Sequence, residues 1–184
     1  MPRFKPNDAI FILPRYANLY PGHSAIVTGV TADSFRPMFN EYALEFPDHS
    51  SAQVFEFQII EDVINYATCI ASLVFDSEKH PAMPDVRGLP SGRQIILQTP
   101  AFDLDMRIHT AKLRAFAIGQ VLERRTKNFL TDLEVRLMPD SRLIRTTISD
   151  NLGVFKFSDV PRGPLNILVV IPQCSSRILG ALSI

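Results

Sequence analysis

Apolar and polar residues alternate in several stretches of the chain after residue 100. The clearest is Phe102–His109, in which every even position is apolar and every odd position is polar or charged. Leu133–Leu137 and Phe155–Phe157 alternate in the same way. Because a period of two is typical of a β-strand with one buried face and one face in water, we predict half-buried strands at these positions.

A further stretch, Leu165–Ile171, is apolar on both faces, as expected for a central strand or one covered by another element. Five more short apolar segments bounded by turn residues complete about nine predicted strands in residues 71–184. These segments are Leu73–Asp76, Gln94–Gln98, Phe116–Leu122, Leu143–Ile148 and Ile178–Ile184.

Residues 1–60 contain shorter strand patterns. Aromatic and β-branched residues predict strands at Ala9–Leu13, Ala25–Val30, Phe39–Phe46 and Gln53–Phe57, and so many short strands suit a small barrel. The following segment is ambiguous, since its apolar residues recur at helical spacing while many are β-branched. We predict a short helical or extended linker at residues 61–70.

Composition supports an all-β chain with two domains. A length of 184 residues accommodates two small domains, and 46% hydrophobic with 21% charged residues is close to the globular average. Thirteen Phe favour pleated surfaces, and 14 Pro leave little room for long helices. Short strands with turns between them are typical of sandwiches and barrels.

Charge and terminal patterning restrict the partners. Nineteen basic and 19 acidic residues leave no net charge, so neither nucleic acid nor an anionic membrane is an expected partner. The N-terminus lacks the apolar core of a secretory signal, and no later stretch is long enough to span a membrane. We therefore expect a cytoplasmic protein, with Cys69 and Cys174 as buried, reduced thiols.

The first third of the chain resembles bacterial SH3-like barrels. Phe4-Lys5-Pro6-Asn7-Asp8 is similar to their Phe-x-Pro-Gly-Asp opening, and the stretch from Tyr20 to Val27 is similar to their Tyr-x-Gly-x-x-Gly-x-Val. Asn7 and Ala25 replace glycines of that pattern. The resemblance implies an SH3-like barrel over residues 1–60, with an aromatic groove for extended peptides in its loops.

A second motif extends from Thr147 to Gly163. Within it, Asp150–Gly153 predicts a hairpin turn with a positive φ at Gly153, and Pro161–Gly163 predicts the next turn, so Phe155 and Phe157 should enter the core. The motif resembles the Thr-x-Thr-Asp-x-x-Gly-x-Phe-x-Phe-x-x-Val-Pro-x-Gly signature of carboxypeptidase regulatory-like domains, with Ser149 where Thr is usual.

This second resemblance implies an immunoglobulin-like or prealbumin-like β-sandwich over residues 71–184. It also implies a non-enzymatic module of the kind met in bacterial signalling or stress gene neighbourhoods. It transfers no functional site. The predicted fold class is therefore all-β, a small SH3-like barrel followed by a β-sandwich.

Two carboxylates offer candidate chemistry. Asp103 and Asp105 project from one face of a predicted strand about 7 Å apart, which is within the range for cation binding or acid–base work. His109 lies on the same face. The alternative is an ordinary solvated strand face, since no third ligand occurs at definable spacing. We expect no metal and no cofactor, and a hydrolase site at these three residues remains an alternative.

Aromatic and arginine residues offer candidate binding sites. Tyr16, Tyr20, Phe35 and Phe39 cluster around the predicted barrel loops, either as a peptide groove or as core. Arg87 and Arg93 flank a Gly-Leu-Pro-Ser-Gly loop and could bind a carboxylate or phosphate bidentately, with a solvated loop as the alternative.

The sequence favours a non-catalytic adaptor or scaffold subunit that binds a larger protein through the barrel loops or an exposed sandwich edge. A nucleic-acid or polysaccharide binding module is one alternative, with Arg15 and the barrel aromatics as a stacking platform. The hydrolase is the other. The sequence does not indicate an oligomeric state.

Overall fold

The computed structural model describes residues 2–62, 66–79, 92–111, 114–139, 145–160 and 162–184. These residues form fourteen β-strands and four short 3-10 helices. They divide into two compact units, one extending to Ala67 and the other beginning at Thr68. The all-β class is confirmed. None of the helices in these ranges has the length and hydropathy that crossing a membrane requires.

The first unit is a five-stranded antiparallel sheet. Its strands, in the sheet order β4-β3-β2-β1-β5, are β1 Ala9–Ile12, β2 Ser24–Thr31, β3 Glu41–Glu45, β4 Ser51–Phe55 and β5 Ile59–Glu61. Alternate side chains such as Ile10, Val27 and Leu44 are fully buried. This arrangement is the SH3-like part of the predicted fold class.

Three 3-10 helices interrupt this sheet, at Pro14–Leu19, Pro37–Phe39 and Glu56–Gln58. Two predicted strand boundaries shift as a result. The third strand was expected from Phe39 but begins at Glu41, because Pro37 starts a helical turn that includes Phe39. The fourth was expected to end at Phe57 but ends at Phe55, where the next helical turn begins.

The segment expected as a linker, residues 61–70, has strand residues at both ends. Glu61 ends β5, and β6 begins at Ala67 and continues to Asp76. The reason is packing, since Cys69 and Ala71 lie against the core of the second unit and keep the chain extended there.

The second unit contains the nine strands that the sequence predicts. After β6 come β7 Arg93–Gln98, β8 Phe102–Ala111, β9 Arg114–Glu123, β10 Glu134–Pro139, β11 Arg145–Ile148, β12 Phe155–Phe157, β13 Pro164–Ile171 and β14 Ser176–Ser183. Their order in the sheet is β11-β10-β13-β14-β6-β7-β8-β9-β12. The fourth 3-10 helix, Pro172–Cys174, connects β13 to β14.

One hydrophobic core joins the two halves of this sheet. Met106 on β8 and Phe155 on β12 belong to the same buried cluster as Val135 on β10 and Ile167 on β13. Because one core cluster contains side chains from both halves, the halves face each other as the layers of a sandwich. The predicted alternation in β8 is confirmed, with Phe102, Leu104, Met106 and Ile108 between 1% and 6% exposed.

The predicted hairpin turn before β12 is also confirmed. Gly153 has a φ of 74°. The Asp150 carboxylate accepts hydrogen bonds from the backbone N–H groups of Leu152 and Val154 at 3.0 and 2.9 Å. This turn delivers Phe155 and Phe157 to the core, where they are 0% and 5% exposed. In the next predicted turn Pro161 lies outside the described residues, and Gly163 has a φ of 94°.

Candidate functional site

A tightly hydrogen-bonded loop connects β2 to β3 in the first unit. We call residues 33–40 the Phe35 loop. The Asp33 carboxylate accepts hydrogen bonds from the backbone N–H groups of Phe35 and Arg36, both at 2.8 Å. The Asp33 N–H donates to the side-chain oxygen of Asn40 at 2.9 Å. Asp33 and Asn40 therefore fix the two ends of the loop relative to each other.

The base of the loop is bonded to the rest of the unit through Asn40. This side chain is fully buried, and its amide donates to Glu56 Oε2 at 2.6 Å. The same oxygen accepts the hydroxyl hydrogen bond of buried Tyr42 at 2.7 Å. Burial raises the pKa of Tyr42, and the bond to Glu56 raises it further. This network connects the loop to β3 and to the helical turn at Glu56–Gln58.

The loop carries two exposed side chains at its tip. Phe35 is 92% exposed, and the Arg36 side chain is 70% exposed. The Arg36 guanidinium lies 4.8 Å from the centre of the Phe39 ring, at cation–π distance. An ordered loop with an almost fully solvated Phe is unusual for a residue type that is commonly buried.

Beside the loop lies a group of four rings that we call the aromatic cluster, formed by Tyr16, Phe39, Phe55 and Phe57. The three Phe rings contact one another with centroid separations of 5.6 to 6.0 Å, and Tyr16 lies 5.8 Å from Phe57. The Phe residues are half-buried. Together with the exposed Phe35 loop, they form a partly apolar surface with cationic Arg36 next to it.

The structure brings together only some of the aromatic residues singled out from the sequence. Tyr16 and Phe39 meet through Phe57, and Phe35 projects from the adjoining loop. Tyr20 is elsewhere, because its ring stacks on Phe46 at 6.5 Å and its hydroxyl donates to Gln58 at 3.0 Å. Burial raises the pKa of Tyr20, partly offset by that hydrogen bond.

Sequence reasoning missed Phe55 and Phe57 as members of the surface. Both lay within a predicted strand, Gln53–Phe57, and were therefore assigned a purely structural role. Their spacing of two residues was a usable signal, because it predicts that both rings lie on one side of an extended chain.

In the second unit, the two candidate carboxylates are bonded to side chains of the adjacent strand. Gln94 donates to both oxygens of Asp105 at 3.0 and 2.9 Å, and Gln98 donates to Asp103 at 2.8 Å. Arg124 lies 3.5 Å from Asp103. The described residues contain no group of three or more His, Cys, Asp or Glu side chains placed to hold a metal ion.

His109 stacks on Phe116, with the ring centres 4.7 Å apart. It borders a groove of about 450 Å³ that Asp105 also lines. Asp103 lies outside the lining of this groove. The three residues of the hydrolase hypothesis therefore share a sheet face without lining one cavity.

Arg93, expected at a possible anion-binding loop, is bound within the protein. Its Nε and one Nη donate to the two oxygens of Asp76 at 2.9 and 2.7 Å, and its other Nη donates to the Ser183 carbonyl at 2.8 Å. The Arg93 hydrogen bonds lower the pKa of Asp76 despite its burial. Arg93 thus has a structural partner, and Arg87 lies outside the described residues.

The two thiols differ from the expectation of buried cysteines. Cys174 is exposed at the end of the 3-10 helix between β13 and β14, so the prediction is wrong for this residue. Cys69 is half-buried, and burial raises the pKa of its thiol, with a smaller contribution from Cys174. Sequence neighbours were apolar at both positions, but only Cys69 packs against the core.

Comparison of the chain with protein-family models, curated proteins and solved structures gives no match. Function is therefore inferred from the contacts and exposure of this chain's own residues.

Proposed function

We propose that this chain is a non-catalytic adaptor or scaffold subunit that binds a larger protein partner through the Phe35 loop and the aromatic cluster. The observation that carries the proposal is the combination of order and exposure in the loop. Its backbone is held by Asp33 and Asn40, and its tip holds Phe35 92% exposed. Such a side chain is suited to enter a pocket on another protein.

The energetics favour binding at this loop. Transferring a Phe side chain from water into an apolar pocket contributes about 2–3 kcal/mol. Because the loop is already hydrogen-bonded in one conformation, little backbone freedom is lost on association. Aromatic and Arg residues are also the types that contribute most at protein interfaces, and Phe35 and Arg36 are adjacent.

The chemistry of the loop defines the surface that it would bind. Phe35 requires an apolar pocket, and Arg36 beside it favours a carboxylate near the rim of that pocket. The half-buried Phe rings of the aromatic cluster would contact the apolar surroundings. We therefore expect an acidic rather than a basic partner surface.

The nucleic-acid or polysaccharide alternative would use stacking on barrel aromatics beside Arg15. The Arg15 guanidinium does lie over the Tyr16 ring at 5.4 Å. Tyr16, however, is only 9% exposed, so little of its face is open to a base or a sugar. The exposed ring of Phe35, in contrast, is adjacent to Arg36, and both suit a protein pocket.

Substitutions in the loop test the proposal. The full chain and its Phe35→Ala, Arg36→Glu and Phe129→Ala variants are immobilised, and proteins captured from the source cells are quantified. Phe129 is the matched control, since it is a 53% exposed Phe in the second unit. Any protein captured by the wild type is then purified and titrated against all four.

We expect one protein to bind wild type and Phe129→Ala equally. It should bind Phe35→Ala about thirtyfold or more weakly, which corresponds to the loss of about 2 kcal/mol. Arg36→Glu should also weaken it, through charge repulsion. Equal binding by all four chains, or preferential loss with Phe129→Ala, would overturn the proposal. Titration with labelled single strands and glycans tests the alternative.

A further inference from the structure

A separate groove of about 400 Å³ lies on another surface of the first unit. Its apolar lining includes Ala9, Ile26 and Pro47, and its two carboxylates are those of Glu45 and Asp62. Ile26 is 43% exposed, which is high for an Ile on a sheet. The aromatic cluster and the Phe35 loop do not contribute to this lining.

The strand register arranges four of these residues in one row across the sheet. Ala9 on β1 pairs with Ile26 on β2, and Ile26 pairs with Glu45 on β3. On the other side, the Asp62 N–H donates to the Ala9 carbonyl at 2.9 Å. Directly opposed residues point to the same face of a sheet. The row therefore reads Asp62, Ala9, Ile26, Glu45, with a carboxylate at each end.

The dimensions of the row follow from strand spacing. Neighbouring strands lie about 4.8 Å apart, so three steps separate the ends of the row by about 14 Å at the backbone. If both carboxylates lean towards the groove, about 10 Å remains between bound cations. One divalent metal ion cannot contact both carboxylates over that distance, because its bonds to oxygen are about 2–2.6 Å long.

We propose that this groove binds an elongated aliphatic diamine or polyamine. One ammonium group pairs with Glu45 and the other with Asp62, while the methylene chain between them covers Ala9 and Ile26. The match is one of charge and polarity along the row, which is acidic at the ends and apolar in the middle. A monoamine of the same length would use only one carboxylate, and a short diamine could not reach both.

The proposal is tested by titrating the full chain with diaminooctane while recording backbone amide shifts by NMR. Octylamine, diaminopropane and octanediol serve as probes that lack one charge, the length or both charges. The titrations are run at pH 8, so that imidazole protonation does not enter the comparison. This condition matters because His49 Nδ1 lies 3.1 Å from Glu45 Oε1 at the rim.

We expect saturable shifts at Ile26, Glu45 and Asp62, with diaminooctane bound about fivefold more tightly than octylamine or diaminopropane. Glu45→Gln and Asp62→Asn should each weaken diaminooctane about three- to fivefold, the range for exposed ion pairs. Each variant should also remove the preference for the diamine over octylamine.

Two further variants complete the test. Ile26→Lys places a cation on the apolar floor at an exposed position, so it should abolish binding without unfolding the sheet. Glu41→Gln, on β3 but outside the groove lining, should bind like wild type, and so should Phe35→Ala. Equal affinity for diamine and monoamine, or shifts located elsewhere, would overturn the proposal and leave the adaptor function unaffected.

Discussion

The ion pair between Asp76 and Arg93 should be a major contributor to the stability of the second unit, and Asp76→Asn tests this. The Asp76 side chain is 2% exposed and that of Arg93 is 17% exposed. The carboxylate accepts two hydrogen bonds from the guanidinium and one from the Glu78 N–H at 3.2 Å. The substitution keeps the shape of the side chain and removes its charge.

The expected loss follows from what Arg93 retains. Removing one partner of a buried pair costs roughly 3–5 kcal/mol, because the other charge stays buried. Arg93 keeps its contact with Glu78 at 3.3 Å and its bond to the Ser183 carbonyl. We therefore expect a loss near the lower end, about 3 kcal/mol at pH 7.

The pH dependence gives this prediction a second signature. The Arg93 hydrogen bonds hold the pKa of Asp76 below its ordinary value in the folded state. A lowered folded pKa contributes stability that is complete above the unfolded value of about 3.9 and is lost as the pH falls through the folded pKa. The difference between wild type and Asp76→Asn should therefore be constant from pH 7 to about 5 and should shrink below about 4.

Urea unfolding at several pH values measures this difference. Hydrogen exchange of peptides from β7 and β14 follows the second unit by itself, which matters because two units need not unfold together. Asp159→Asn is the matched control, since Asp159 pairs with Arg145 at 2.8 Å but is 55% exposed and should cost less than about 1 kcal/mol. Equal losses for the two variants at pH 7, or an Asp76→Asn difference that persists undiminished in acid, would refute the reasoning.

Two further predictions concern packing and thiol reactivity. Gly119→Ala should destabilise the second unit by about 2–3 kcal/mol in urea, because the added methyl group would overlap the ring of Phe155. Gly29→Ala has its nearest neighbouring atom at 3.5 Å and should cost much less, so equal losses would contradict this reading. Iodoacetamide should modify exposed Cys174 before Cys69, whose thiol pKa is raised by burial, as measured by peptide mass spectrometry. Equal rates for the two thiols would be inconsistent with it.

Local chemistry was enough to predict most of the fold. Alternation predicts that Leu104 and Met106 are buried, because successive side chains of a strand point to opposite faces whatever the strand pairs with. The turn at Gly153 is equally local, since Asp150 bonds to backbone groups within four residues. Helical turns started by Pro37 and at Glu56 were less visible because they are only three residues long.

The candidate sites depended on residues that the sequence keeps apart. Phe35 and Tyr42 are close in sequence and similarly apolar, yet one is 92% exposed and the other is fully buried. Asn40, hydrogen-bonded to Glu56, sets this difference by fixing where the loop leaves the sheet. Sequence reasoning could place these aromatics near a loop but could not say which one faces solvent.

The sequence by itself determined the all-β class, the strands of the sandwich and the turn that delivers Phe155 to the core, because each depends on interactions within a few residues. Only the tertiary structure decided which side chains share a surface. Strand register placed Asp62 and Glu45 at the ends of one row and paired Asp76 with Arg93. Register is a property of two strands at once, and no single stretch of sequence contains it.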